Sequence, residues 1–441
     1  MKSNPAEAPL PKPPVVRLPF FYGWLIVAIA VVSGAFAVGT ASWALSALIS
    51  PMESELGWSR STIFGALTLR ALLSGMIAPF IWPYMDRPKG PLVLTMIGAV
   101  SLGVSLMGLR FVQEPWQFYA LFGVVGSISM LGSGFFLAQT VVPKWFVRKR
   151  GRALGLATMG TGAGAFFPLF LNPILEAVGW RDTWFILGVA GLVILAPLAA
   201  LMRRQPEDLG LLPDGATEPI RMVERPGGTL SPSDMRMHGR SLTRQEVVRR
   251  PVFWLLVLIL GLGGLGLQGY QPNWIPYLTD SGISPATVSY AISVYAVFSI
   301  LFRVFLWGYL ADRFPARYLL TVQAAIIAVT VVMLMNVNST PSLFAFAAVS
   351  GMAIGGWVML QPLIVADYFG RGHLGSINGI MRPILTISTA SGPLIIAGIY
   401  DLSGAYFWAF VLVLAAWVIM GLVAQVTRPP SREPLPQTKT Q

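Results

Sequence analysis

No cysteine occurs in the 441 residues, and histidine occurs only twice, at His238 and His373. The first absence excludes disulfides and thiolate chemistry. The second, with both histidines in polar segments, argues against a buried histidine proton relay. Charge is scarce too: 11% of residues are Asp, Glu, Lys or Arg, where soluble domains carry about a quarter. So few charges cannot cover a surface that faces water. No nucleophile, base or metal-ligand cluster can be assembled at one depth of such a chain, so an enzyme is the least supported class and no cofactor or metal is expected. The first twenty residues hold no separate apolar segment with a cleavage site, so the expectation is that the first apolar span itself directs insertion.

Hydrophobic residues, in contrast, make up 55% of the chain. They arrive in blocks of about 20 or more, the length a helix needs to cross roughly 30 Å of hydrocarbon. The blocks predict spans at 20–49, 61–84, 91–112, 115–141, 152–178, 182–202, 251–278, 284–311, 317–336, 341–366, 375–399 and 404–427. The fold class is therefore an all-α integral membrane protein with twelve transmembrane helices. A net charge of +12 taken alone suits nucleic acid, but its placement points to topology instead. Arg87, Lys89, Lys144, Arg148, Lys149, Arg150, Arg152, Arg313, Arg317 and Arg371 lie in every second short loop, while the alternate loops hold only Arg60, Arg110 and Arg181. The positive-inside bias then places the basic loops and both termini in the cytoplasm, with the expected location a bacterial inner membrane and the lipid bilayer the main partner.

The chain also resembles itself when shifted by about half its length. Asp86-Arg87 matches Asp312-Arg313, Trp145-Phe146 matches Tyr368-Phe369, Gly151 and Gly155 match Gly375 and Gly379, and Glu176 with Gly179 matches Asp401 with Gly404, all at offsets close to 225. Parallel repeats of this kind put a site near the mid-plane between two bundles that rock. The expected organisation is a tail at 1–19, a six-helix bundle at 20–202, a linker at 203–250, a second six-helix bundle at 251–427 and a tail at 428–441. The linker is the one long polar segment. At its end Thr243 and Glu246 offer a capping box for a short surface helix.

Three arginines lie too deep to reach an interface. Arg70 is roughly 15–18 Å from either end of its helix, Arg303 about 13 Å inward from Asp312, and Arg382 a similar distance beyond His373. Arginine stays charged at any ordinary pH, and its planar fork matches a carboxylate with two parallel hydrogen bonds. No Asp or Glu falls at that depth, so the missing counter-charge points to an anionic substrate. Arg303 and Arg382, the latter beside Pro383, have a plainer reading as donors to backbone carbonyls near a helix break; Arg70 has one at the cavity rim, and its functional role would be a third anion contact or a gate.

The seventh span, Gly261 to Tyr277, is dense in glycine and proline and reads as a bent gating helix. Gln268 and Asn273 could donate to a carboxylate there, and Tyr277 could close over it. The run Gly160-Thr-Gly-Ala-Gly164 lacks the strand and lysine of a phosphate loop and reads as close helix packing.

Several of these pieces together resemble the major facilitator superfamily. Gly308-Tyr-Leu-Ala-Asp312-Arg313 is similar to its loop signature, and the first-half copy ending in Asp86-Arg87 has Trp82 where glycine is usual. Within the superfamily the chain is most similar to the monocarboxylate transporter and oxalate–formate antiporter group. That likeness rests on Tyr22-Gly23-Trp24, Glu55-Leu-Gly-Trp-Ser-Arg60, the basic run from Trp145 to Arg152, Gln205-Pro-Glu-Asp-Leu-Gly210, Pro213-Asp-Gly215 and Asp367-Tyr-Phe-Gly-Arg371 with Gly375-Ser-Ile-Asn-Gly379. The resemblance implies an alternating-access carrier of small organic carboxylates, working as a monomer, in which Arg303 and Arg382 bind the anion. It makes Trp43, Gln139, Trp357 and Gln361 candidate cavity residues, and Gly308, Asp312, Arg313, Asp86 and Arg87 the gating loops. Two departures matter. Ser299 stands where proton-coupled members of the group carry an aspartate, which favours exchange or uniport over proton symport. The spacing from Arg303 to Gly308 is also one residue longer than the group pattern. Alternatives in the same fold or outside it are an exporter of amphipathic compounds and a membrane sensor.

Overall fold

The apolar blocks fold as predicted into spanning helices. The computed structural model describes residues 19–217, 241–271, 273–274, 277–278 and 281–430. The tails, most of the linker with His238, and Pro272 and Pro276 of the expected bend lie outside the described residues. The first-half spans are α1 (Tyr22–Leu56), α2 (Arg60–Asp86), α3 (Gly90–Phe111) and α4, which runs over Pro115–Gly132 and Gly134–Trp145 with a 42° bend between the two parts. Next, α5 begins at Arg150, and the helical path continues without a gap to Ala200. Within it Gly179 has φ 76° and ψ 172°, a conformation only glycine adopts readily. Divided there, the path is α5 (150–178) and α6 (180–200). The second half contributes α7 (Pro251–Tyr270), α8 (Thr287–Arg313), α9 (Ala316–Met335), α10 (Thr340–Phe369), α11 (Leu374–Ser403) and α12 (Phe407–Val426). Ten helices meet length and hydropathy limits singly and the bent pair adds one; the division at Gly179 brings the described spans to twelve.

Pseudo-symmetry appears in the packing. In the first half α1 packs on α5, α3 on α6 and α2 on α4, and in the second α7 packs on α11, α9 on α12 and α8 on α10. Gly404, the repeat partner of Gly179, also has positive φ, at 68°. The glycines of α7 serve close packing: a side chain at Gly263 would strike Trp357, and one at Gly266 would strike Trp417. The Gly160–Gly164 run does the same for α5, with Gly160 against the Val31 carbonyl of α1 and Gly164 against Gly39.

The halves meet along two seams, α2 with α11 and α5 with α8. Both run inward from the basic loops. Along the first, Gly375 faces the Trp82 carbonyl, Gly379 faces Ala78, and Gly75 faces Thr386. Along the second, Gly151 faces Gly308, Gly155 faces the Arg303 carbonyl, and Gly162 faces Ile300. Trp82, standing where Gly308 stands in the repeat, does not hold the first seam apart. Its ring turns into its own half, 4.0 Å from that of Phe136.

Candidate functional site

The basic-loop end of the seams is closed by the two repeated aspartates, each capping a helix of the opposite half. Asp86 accepts hydrogen bonds from the backbone N–H of Gly375 (3.0 Å) and Ser376 (2.9 Å) at the start of α11, and from Lys144 Nζ (2.8 Å). Asp312 accepts from Gly151 N–H (2.7 Å) near the start of α5 and pairs with Arg152 Nε at 3.2 Å. Both carboxylates therefore stand at the positive end of a helix dipole. Their neighbours Arg87 and Arg313 are exposed and lie over Tyr84 and Tyr309, at 4.2 and 3.9 Å from the ring centroids. A third cross-half link joins Arg150, with 0% of its side chain exposed, to Asp367 at 2.8 Å.

The linker adds to this closure. Asp214 accepts from the backbone N–H groups of Val147, Arg148 and Lys149 in the loop after α4. Glu207 pairs with Arg371 of the second half. The expected capping box is present, with Glu246 Oε2 accepting from Thr243 N–H at 2.8 Å at the start of the short helix Arg244–Val248.

Deeper along the α5–α8 seam, Arg303 is 3% exposed. Its Nη1 donates to the Thr158 carbonyl (2.5 Å) and Thr161 Oγ1 (3.1 Å) on α5, and its Nη2 to Ser299 Oγ (3.1 Å), while Nε finds no partner. Arg303 opens a five-residue π-helical turn, Arg303–Trp307. A π turn takes up one residue more than an α turn. The extra residue before Gly308 is absorbed there, and Gly308 still meets Gly151.

Arg382 on α11 is half-buried and faces α4 of the other half, its guanidinium 5.6 Å from the centroid of the Phe135 ring. Arg70 is held inside the first half: Nη2 donates to Ser129 Oγ of α4 (2.9 Å), Phe122 lies 5.0 Å below it, and Nε and Nη1 have no partner. The structure thus sets Arg303 and Arg382 on the seam between the halves and Arg70 within one of them. Among the described residues, no ion pair involves any of the three.

The remaining candidates separate. Gln268 is exposed and Gln361 is half-buried. Gln139 is buried, and its carbonyl accepts from Asn378 of α11 across the halves. Trp43 is 38% exposed in a π-helical stretch of α1. Asn273 donates back to the Gly269 carbonyl of its own helix. Tyr277 is packed edge-on against Tyr406 and Phe410 of the second half, and Trp357 against Trp417. Tyr277 and Trp357 thus serve as packing side chains in this conformation, because aromatic neighbours in their own half occupy their faces. Sequence reasoning missed Thr158, Thr161, Ser129 and Phe135. A hydroxyl one helical turn from the seam glycines Gly155 and Gly162 is the signal that could have found Thr158, and Thr161 adjoins Gly162.

Two like bundles, closed at one end around deep arginines without counter-charges, define a membrane carrier. A family model described as Major Facilitator Superfamily matches residues 31–278 and 262–441, and the chain belongs to that superfamily. It is a multi-pass transporter of a small molecule and not an enzyme. It is 25% identical over 342 residues to the oxalate:formate antiporter of Oxalobacter formigenes, covering 75% of this chain and 74% of that one. It is 25% identical over 453 residues to monocarboxylate transporter 12 of Homo sapiens, covering 92% and 81%. Among solved structures it is similar in fold to the human organic anion transporter MFSD10, with a TM-score of 0.68 at 14% identity over 93% of this chain and 100% of that one.

Proposed function

We propose that the chain carries small organic carboxylate anions by alternating access, as an exchanger or uniporter. The observation that carries this reading is the pair Arg303 and Arg382 on the seam between the halves, cationic at every ordinary pH and without an acidic partner among the described residues. A carboxylate supplies the acceptor geometry that a guanidinium lacks there. Arg382 has the freer donors and is the first contact. The relatives that transport oxalate, formate or monocarboxylates support the same substrate class. Ser299 beside Arg303 offers a hydroxyl and no titratable carboxyl, which favours exchange over proton symport. The basic loops and termini are assigned to the cytoplasm, the membrane to a bacterial inner membrane, and the two bundles to 20–202 and 251–427.

One observation favours a second reading, export of amphipathic compounds: Arg303 already has a backbone acceptor in Thr158. Uptake of labelled lactate, oxalate, malate and citrate into proteoliposomes, empty or preloaded, separates the readings. Uptake stimulated by preloading and without internal acidification supports the anion exchanger. Acidification on uptake into empty vesicles means proton symport, and no uptake of any acid turns the assignment to the exporter.

A further inference from the structure

We propose that Arg303 is a latch between the halves that the transported anion releases, so that the empty carrier rests closed at its basic-loop end. This rests on the anion-carrier reading and assigns a regulatory role to one residue of its site.

The geometry is specific to one seam. Two acceptors of Arg303, the Thr158 carbonyl and Thr161 Oγ1, belong to α5 of the opposite half. Opening the basic-loop side requires α5 and α8 to part, since Gly151 and Gly308 close that side. Neither hydrogen bond survives that movement. The α2–α11 seam has no such rung at the corresponding depth, where Gly75 meets Thr386 and Gly379 meets Ala78.

Parting the seam without an anion takes both α5 acceptors from a permanent cation and leaves Ser299 as its remaining side-chain acceptor. Burying a charge without a partner is unfavourable, and arginine cannot escape by losing its proton. A carboxylate alters this, because it offers two acceptors to the planar fork. The Nε–H, unpartnered in the closed seam, takes one carboxylate oxygen first, and once the seam parts Nη1 and Nη2 present a fork that the closed seam holds on Thr158, Thr161 and Ser299. The anion therefore binds the parted state better than the closed one, which is the condition for a ligand to shift the equilibrium. The empty carrier therefore rests closed at the basic-loop end, and the anion opens it there.

Because the chain has no cysteine, spin labels can be placed without background. Arg148 and Phe314 are exposed, on opposite halves at the basic-loop end, and the pair R148C with F314C reports the opening. In the parent pair without substrate the short distance should dominate, and saturating oxalate or lactate should lengthen it. Thr161→Val should raise the long-distance population on the order of tenfold to a hundredfold without any acid, the effect of losing one charged hydrogen bond, and Thr161→Ser should restore the parent distribution. Should Thr161→Val fold poorly, Thr161→Ala with the same labels serves instead. An unchanged distance distribution in these variants would overturn the latch. If the distance lengthens in Thr161→Val but no acid is transported or lengthens it in the parent, the barrier stands as structural while its release by an anion is overturned together with the carrier reading.

Discussion

Asp86 holds Ser376 twice, its Oδ2 accepting both the backbone N–H at 2.9 Å and the side-chain hydroxyl at 2.8 Å. The two residues lie in opposite halves, so one carboxylate caps α11 and fastens α2 to it. On its other oxygen Asp86 neutralises Lys144, whose side chain is 1% exposed.

Asp86→Ala should therefore cost more than Asp312→Ala. The first leaves a buried ammonium unpaired, an effect of about 3–5 kcal/mol. The second frees Arg152, which is 51% exposed and regains water. Thermal unfolding of the two variants in detergent checks this, with a clearly lower midpoint expected for Asp86→Ala. Equal midpoints would mean that Lys144 finds water or another acceptor once Asp86 is gone.

Glycine replacements should divide by place. At Gly134 a methyl group overlaps the Ala30 carbonyl inside the first half, so Gly134→Ala should lose folded protein on size exclusion. At Gly151 it lies 2.5 Å from the Gly308 carbonyl across the seam. Gly151→Ala should stay folded while the halves part at that end, seen as faster maleimide labelling of a cysteine introduced beside it.

Asp214→Ala removes the acceptor of three backbone N–H groups at Val147, Arg148 and Lys149. Each orphaned donor costs about 1–3 kcal/mol where it is buried and less where water replaces the carboxylate. Hydrogen exchange at 147–149 should accelerate at least tenfold, with the cores of α1 and α10 unchanged.

For Arg382, Gln removes the charge, and uptake of the transported acid should fall by one to two orders of magnitude, the range for losing a bidentate charged contact. Lys keeps the charge but not the fork and should be intermediate. Full uptake by Arg382→Gln would remove this residue from the site.

Much of the fold was legible because bilayer thickness sets helix length and the repeat shows in loop landmarks. The boundary at 179–181 was legible from Gly179 and the charged Arg181-Asp182, although not that a single glycine makes the turn; the break in α4 at Ser133 was not legible, since it does not interrupt hydropathy. The site was legible as far as charge at depth. Arg70, Arg303 and Arg382 stand out in any apolar span, yet depth says nothing of azimuth. Arg70 turns to Ser129 in its own half and Arg303 to Thr158 in the other. Trp357 and Tyr277 had the right depth, but their azimuths put aromatic partners in their way.

The Gly179 turn joins α5 to α6 without a loop. A connection with no slack passes on any tilt of α5, so α6, and with it α3, must travel along. The seam helix is thus geared to the outer wall of its half, and a perturbation at the lipid-facing side of α6 has a mechanical route to the seam at Thr161.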